Sequence, residues 1–95
     1  MKSLHVKALR ETFGFDTLIW SSLLGVSQAT VFRWEPVVDL DRVNQIQKKL
    51  LCVLRELARD PQAVALVQRR IPRATGSLEK IHALLVIYFW IRGLE

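Results

Sequence analysis

Cysteine is almost absent from this 95-residue chain. Cys52 stands alone, so no disulfide can close within it and a secreted disulfide scaffold is excluded. Four glycines and three prolines leave few breakpoints, and no stretch alternates apolar and polar residues as a half-buried strand would. Histidine occurs twice, at His5 and His82, with no acidic or cysteine cluster beside either. Neither a metal-ligand spacing nor a catalytic triad is therefore visible. A glycine-rich phosphate loop is also missing. These absences argue against an enzyme and against any bound cofactor or metal. The longest apolar run, Ala83 to Ile91, is far shorter than the roughly 20 residues a membrane span needs, and Glu79, Lys80 and Arg92 flank it. The first fifteen residues carry Lys2, Lys7, Arg10 and Glu11 and no continuous apolar stretch, so no secretory leader is read there. A reducing, cytoplasmic setting is the expectation.

What is present is apolar and basic. Hydrophobic residues make up 51% of the chain, enough with the modest net charge of +5 to exclude disorder and to support a core without staples. Fourteen Lys and Arg against nine Asp and Glu, with a pI near 10.0, point toward a polyanionic partner. One domain's worth of residues divides into helical pieces. Val6, Leu9 and Phe13 stand at helical spacing in a first helix, from about Leu4 to Phe13, that stops at Gly14. Asp16 caps a second that closes at Gly25, and Ser27 caps a short third through Trp34, ended by Glu35-Pro36. A fourth runs from about Asp41 to Arg59 with Val43, Ile46, Leu50, Val53 and Leu57 as its packing seam. Cys52 reads as a small packed hydrophobe within it. Asp60-Pro61 starts a fifth with Val64, Val67 and Ile71 inward, and Pro72 ends it. After a loop over 73–76, Ser77 caps a last helix to Arg92, with Gly93 as its stop. The class is all-α, with no sheet.

Function concentrates between Thr17 and Trp34. Two short helices joined by Leu24-Gly25-Val26-Ser27 have the spacing of a helix-turn-helix, with Gly25 supplying the positive φ of the turn. Ser21 is small enough for close helix passage. Leu24, Val26 and Val31 point inward and Trp34 locks the far end. Leu9-Arg10-Glu11, Leu23-Leu24-Gly25-Val26-Ser27, Ala29-Thr30-Val31 and Arg33-Trp34-Glu35 together resemble the Cro/repressor-type (XRE-like) helix-turn-helix family of bacterial and phage regulators. Leu50-Leu51, the run Leu54 to Val64 and Arg59-Asp60-Pro61 look like that family's last helices, so the likeness covers about Leu4 to Ile71. Thr17 stands where the family often has glutamine, Ser21 where alanine is commonest, and Glu35-Pro36-Val37-Val38 where a glycine-bearing turn is usual. The resemblance implies a five-helix DNA-binding domain over 1–71, followed by an apolar helix in 72–95.

Helical geometry selects the candidate readers. With Val31 and Trp34 inward, Ala29, Phe32 and Arg33 face outward, and Gln28 stands at the helix start. Gln28 can pair bidentately with adenine, Arg33 can reach guanine or a phosphate, and Ala29 or Phe32 can pack on a thymine methyl. Arg10, Thr17, Ser27 and Thr30 are the candidate phosphate contacts. Residues 1–36 carry a net charge of only +1 and the rest +4, so one copy of the motif should bind weakly and two copies on a palindrome are expected. Arg69, Arg70 and Arg73 either add backbone contacts or complement the fifth helix's dipole. The last helix is apolar all round and should be buried on more than one side. Its Leu84, Leu85, Tyr88, Phe89 and Ile91 are the candidate dimerisation residues. The expected function is a transcriptional regulator, most simply a repressor, binding double-stranded DNA as a homodimer. The other reading is a protein-interaction module, such as an antitoxin docking that helix on a toxin.

Overall fold

The computed structural model describes residues 3–34, 38–39 and 43–93. Six α-helices follow in order: α1 Val6–Phe13, α2 Thr17–Leu24, α3 Gln28–Trp34, α4 Gln45–Leu57, α5 Pro61–Arg70 and α6 Gly76–Gly93, with a 3-10 turn Ile71–Arg73 before the last. The fold is all-α. Two residues on each side, β1 Ser3–Leu4 and β2 Val38–Asp39, form an antiparallel pairing with Ser3 opposite Asp39 and Leu4 opposite Val38. A two-residue strand is too short to show alternation, which is why no sheet is read in the sequence.

The helix boundaries follow from side chains that satisfy free backbone amides. The Asp16 carboxylate accepts from the Ile19 N–H at 2.8 Å, and the Ser27 hydroxyl accepts from that of Thr30 at 3.2 Å. Asp60 accepts from the Gln62 N–H at 2.9 Å, with Pro61 opening α5. Asn44 accepts from the Ile46 N–H at 2.9 Å, so α4 starts at Gln45 and not at Asp41. The start of α6 is also fixed differently from the expected Ser77 cap. Gly76 takes φ +76°, the Glu79 carboxylate accepts from the Thr75 N–H at 2.9 Å, and Lys80 Nζ donates to the Ala74 carbonyl at 2.8 Å. Lys80 is buried, and this bond holds its ammonium group close to its own helix start. The turn at Glu35-Pro36-Val37 lies outside the described residues.

One apolar core takes side chains from all six helices. Val6 and Phe13 of α1, Trp20, Leu23 and Leu24 of α2, and Val31 of α3 meet Leu51 and Leu54 of α4, Val67 of α5 and Leu84 of α6, each at most 1% exposed. Phe15 stacks near Phe13 and Trp20, with ring centroids 6.0 and 6.4 Å away. Helix α6 lies across α2 and against α5. The division at residue 71 is therefore a functional expectation only, because Leu84 and Ile87 belong to the same core as the helix-turn-helix. Within α4 the packing stripe is Leu50, Leu51, Leu54 and Leu57; Ile46 is 66% exposed and Val53 half-buried, as is Val43 just before the helix. In α5, Ala63 and Val67 are buried and Val64 is half-buried, with Ile71 buried just beyond.

Candidate nucleic-acid interface

Gly25 makes the interhelical turn possible. Its backbone sits at φ 71° and ψ 32°, and its N–H closes α2 on the Ser21 and Ser22 carbonyls. A side chain is strained there on two counts, since a Cβ would also meet Ser77 Oγ at 3.3 Å. Val31 anchors α3 by complete burial, and Val26 and Trp34 pack against the core at either end. With the inward side so fixed, Gln28, Ala29, Phe32 and Arg33 are all exposed. Phe32 is 57% exposed, a large apolar ring in water among polar neighbours.

Two hydrogen bonds prearrange that surface. Thr17 Oγ1 donates to Gln28 Oε1 at 2.8 Å, tying the first residue of α2 to the first of α3. The amide oxygen keeps a second lone pair and the amide nitrogen both hydrogens, so Gln28 remains able to meet an adenine edge with a donor and an acceptor. Arg33 Nη2 donates to Thr30 Oγ1 at 3.1 Å, which leaves the exposed guanidinium its other N–H donors. This pairing of Thr17 with Gln28 joins residues eleven apart, and no local pattern in the sequence announces it.

The expected phosphate contacts fare unequally. Ser27 Oγ and Thr30 Oγ1 lie 3.0 Å apart and share one hydroxyl proton, which leaves one hydroxyl proton of the pair for an outside acceptor. Thr17 has spent its hydroxyl proton on Gln28 and has none for a phosphate. The amide end of α2 is already met by the Asp16 carboxylate, whose charge opposes a second anion. Arg10 is half-buried, and its Nη1 donates to the Phe15 carbonyl at 2.8 Å, stapling the turn at Gly14. That bond, which crosses five residues, makes Arg10 part of the fold before it is part of an interface.

The segment that carries three cations beyond the motif comes close to it at both ends. Gln68 Nε2 is 3.6 Å from where a Gly14 Cβ would stand, and Ser77 Oγ is at Gly25. The segment from Gln68 to Ser77 thus reaches both turns that bracket α2. Arg69, Arg70 and Arg73 on it are exposed, and none has an ion pair among the described residues.

The dimerisation candidates on α6 do not share one face. Leu84 is fully buried in the chain's own core. Tyr88 and Ile91 are half-buried against it, and Tyr88 Oη donates to Glu56 Oε2 of α4 at 2.7 Å. Arg92 completes that corner, 3.6 Å from Glu56 and 5.6 Å from the Tyr88 ring. The bond to Glu56 holds the phenol proton and raises the Tyr88 pKa above the usual 10.0, with burial adding to it and Arg92 opposing. Only Leu85 and Phe89 of the five point away from the core, alongside Leu78, Val86 and Trp90. Among the described residues no three His, Cys, Asp or Glu side chains come together that could hold a metal ion, and no helix is long and apolar enough to cross a membrane. No protein-family model, curated protein or solved structure matches this chain at a significant level.

Proposed function

We infer that this chain is a sequence-specific DNA-binding regulator that reads the major groove with α3. The observation that carries the reading is the outward face of α3, where Gln28, Ala29, Phe32 and Arg33 are exposed together on a helix fixed by Val31 and the Gly25 turn. Two of these readers are oriented from behind, by Thr17 and Thr30. Base reading needs a donor–acceptor pair, a guanidinium and an apolar patch on one narrow surface, and this face holds all three. A binding role fits this surface better than catalysis does.

Affinity on this reading comes from two sources. Arg69 and Arg73 supply sequence-independent attraction to the phosphate backbone. A second copy supplies the other half, on a palindromic site in a cytoplasmic setting. The recognition helices of the two copies then stand one DNA turn, about 34 Å, apart. Occupying an operator in this way makes repression the simplest mode of regulation.

Arg33→Ala tests the reading. Binding to the preferred duplex is expected to fall by about 1–3 kcal/mol while binding to random duplex changes little, and discrimination at one base pair in each half-site is lost. Equal losses on both duplexes would remove Arg33 from base reading.

A further inference from the structure

Where α5 packs on α6 the two helices leave a recess of about 150 Å³, lined by Leu66, Arg70, Val86, Ile87 and Trp90. Helical spacing builds it. Leu66 and Arg70 stand one turn apart on α5, as Val86 and Trp90 do on α6, so each helix supplies a wall. Ile87, only 3% exposed, lies at the core side between them. Leu66 is half-buried, while Val86 and Trp90 are 47% and 53% exposed, so an occupant covers apolar surface that now meets water.

The lining is selective in its chemistry. Leu66, Val86 and Ile87 carry no polar side-chain atom. Arg70 and Trp90 carry donors only, a guanidinium and an indole N–H. Neither has a hydrogen-bond or ion-pair partner among the described residues, and no acidic side chain lines the recess. An occupant must therefore bring acceptors, a negative charge by preference, on an apolar body. Size restricts it further. A cavity of about 150 Å³ holds one benzene-sized ring, whereas drug-sized ligands fill roughly 300–1,000 Å³. A helix of another protein is far too large to enter.

We propose that this recess binds a small aromatic monocarboxylate, a free molecule of one ring, with the ring among Leu66, Val86, Ile87 and Trp90 and the carboxylate on Arg70. A carboxylate meets the guanidinium fork with two parallel charge-assisted hydrogen bonds, which a neutral acceptor does not match. An aromatic body suits the site better than an aliphatic one, because the half-exposed indole of Trp90 offers it an edge or offset ring contact. The site is independent of the DNA reading, since it is filled and measured with no DNA present.

Titration of the full chain with phenylacetate, followed by proton–nitrogen correlation spectra, tests it, with circular dichroism confirming that each variant is folded. Saturable shifts are expected at the Trp90 indole N–H and at the amides of Leu66, Arg70, Val86 and Ile87. For so small a ligand the Kd should be on the order of 1 mM. Acetate, which lacks the ring, and 2-phenylethylammonium, which reverses the charge, should each bind at least about tenfold more weakly. Arg70→Gln should weaken phenylacetate about threefold to tenfold, and Val86→Phe, which fills the recess, should abolish its saturable shifts. Lys49→Gln, at an exposed cation of α4 outside the recess, should change nothing. No shift at roughly 20 mM phenylacetate would overturn the proposal, as would shifts that acetate reproduces. So would equal binding of 2-phenylethylammonium, undiminished affinity in Arg70→Gln or Val86→Phe, or a loss in Lys49→Gln as large as that in Arg70→Gln.

Discussion

Replacing Gly25 with alanine probes the turn on which the whole reading surface depends. The glycine is held at φ 71°, a left-handed conformation that costs an L-residue about 1–2 kcal/mol. Alanine gains about 0.4–1 kcal/mol from a stiffer unfolded chain, but at a positive φ the native-state strain exceeds that gain. The new Cβ would also stand 3.3 Å from Ser77 Oγ, closer than comfortable contact, and Ser77 belongs to α6 and has limited room to retreat. The net loss is therefore about 1 kcal/mol or slightly more, which for a domain of this size lowers the Tm by roughly 4–8 °C. Thermal unfolding followed by far-ultraviolet circular dichroism measures it. The double variant Gly25→Ala/Ser77→Ala should recover the contact part of the loss and leave the backbone part. Gly93→Ala is the control, because nothing lies within 4 Å of its Cβ position and its φ is not positive; it should cost nothing. A Gly25→Ala protein as stable as wild type would refute the left-handed turn and, with it, the placement of α3.

Three further perturbations separate the roles assigned to particular groups. Thr17→Val should leave stability within about 0.5 kcal/mol of wild type while lowering base discrimination opposite Gln28, and Thr17→Ser should restore it in competition binding; an unchanged preference would show that the Thr17 hydroxyl does not orient the amide. Trp20 is fully buried, with no partner for its indole N–H among the described residues, so Trp20→Phe removes an unsatisfied donor along with some volume. Urea unfolding should show it far milder than the 3–5 kcal/mol typical of Trp→Ala in a core, and a comparable loss would mean the N–H is satisfied. Tyr88 keeps its proton more tightly folded than unfolded, so the stability it contributes is complete below the unfolded value of 10.0 and is lost as pH rises through the higher native one. Glu56→Ala should bring the phenolate titration, read by ultraviolet absorbance, back toward the ordinary phenol range; no movement would deny the hydrogen bond its part.

Local devices were legible because each is written within a few residues. Asp16, Ser27 and Asp60 cap where their spacing to the following helix says they should, and Gly14 and Gly25 end helices in the left-handed conformation. The outward set on α3 followed from the helical period once Val31 was inward. What could not be read was the rotation of a helix with more than one apolar stripe. In α4 both Ile46-Leu50-Val53 and Leu50-Leu51-Leu54-Leu57 have helical spacing, and only the neighbours decide that Ile46 meets water while Leu51 and Leu54 are sealed. Helix α6 carries no polar face to orient it, so Leu84 and Leu78 were equivalent until α2 and α5 were in place. Arg10 illustrates a different gap, since its bond to the Phe15 carbonyl crosses a turn and converts an apparent surface cation into a staple.

The central claim is that the exposed face of α3 reads bases in pairs of half-sites. Selection of bound duplexes from a random pool, carried out at two salt concentrations, tests it most directly. The account predicts enrichment of a palindrome whose half-site centres lie about 10 base pairs apart, retained at the higher salt while random duplex is lost. Binding that vanishes with salt and enriches no sequence would contradict it.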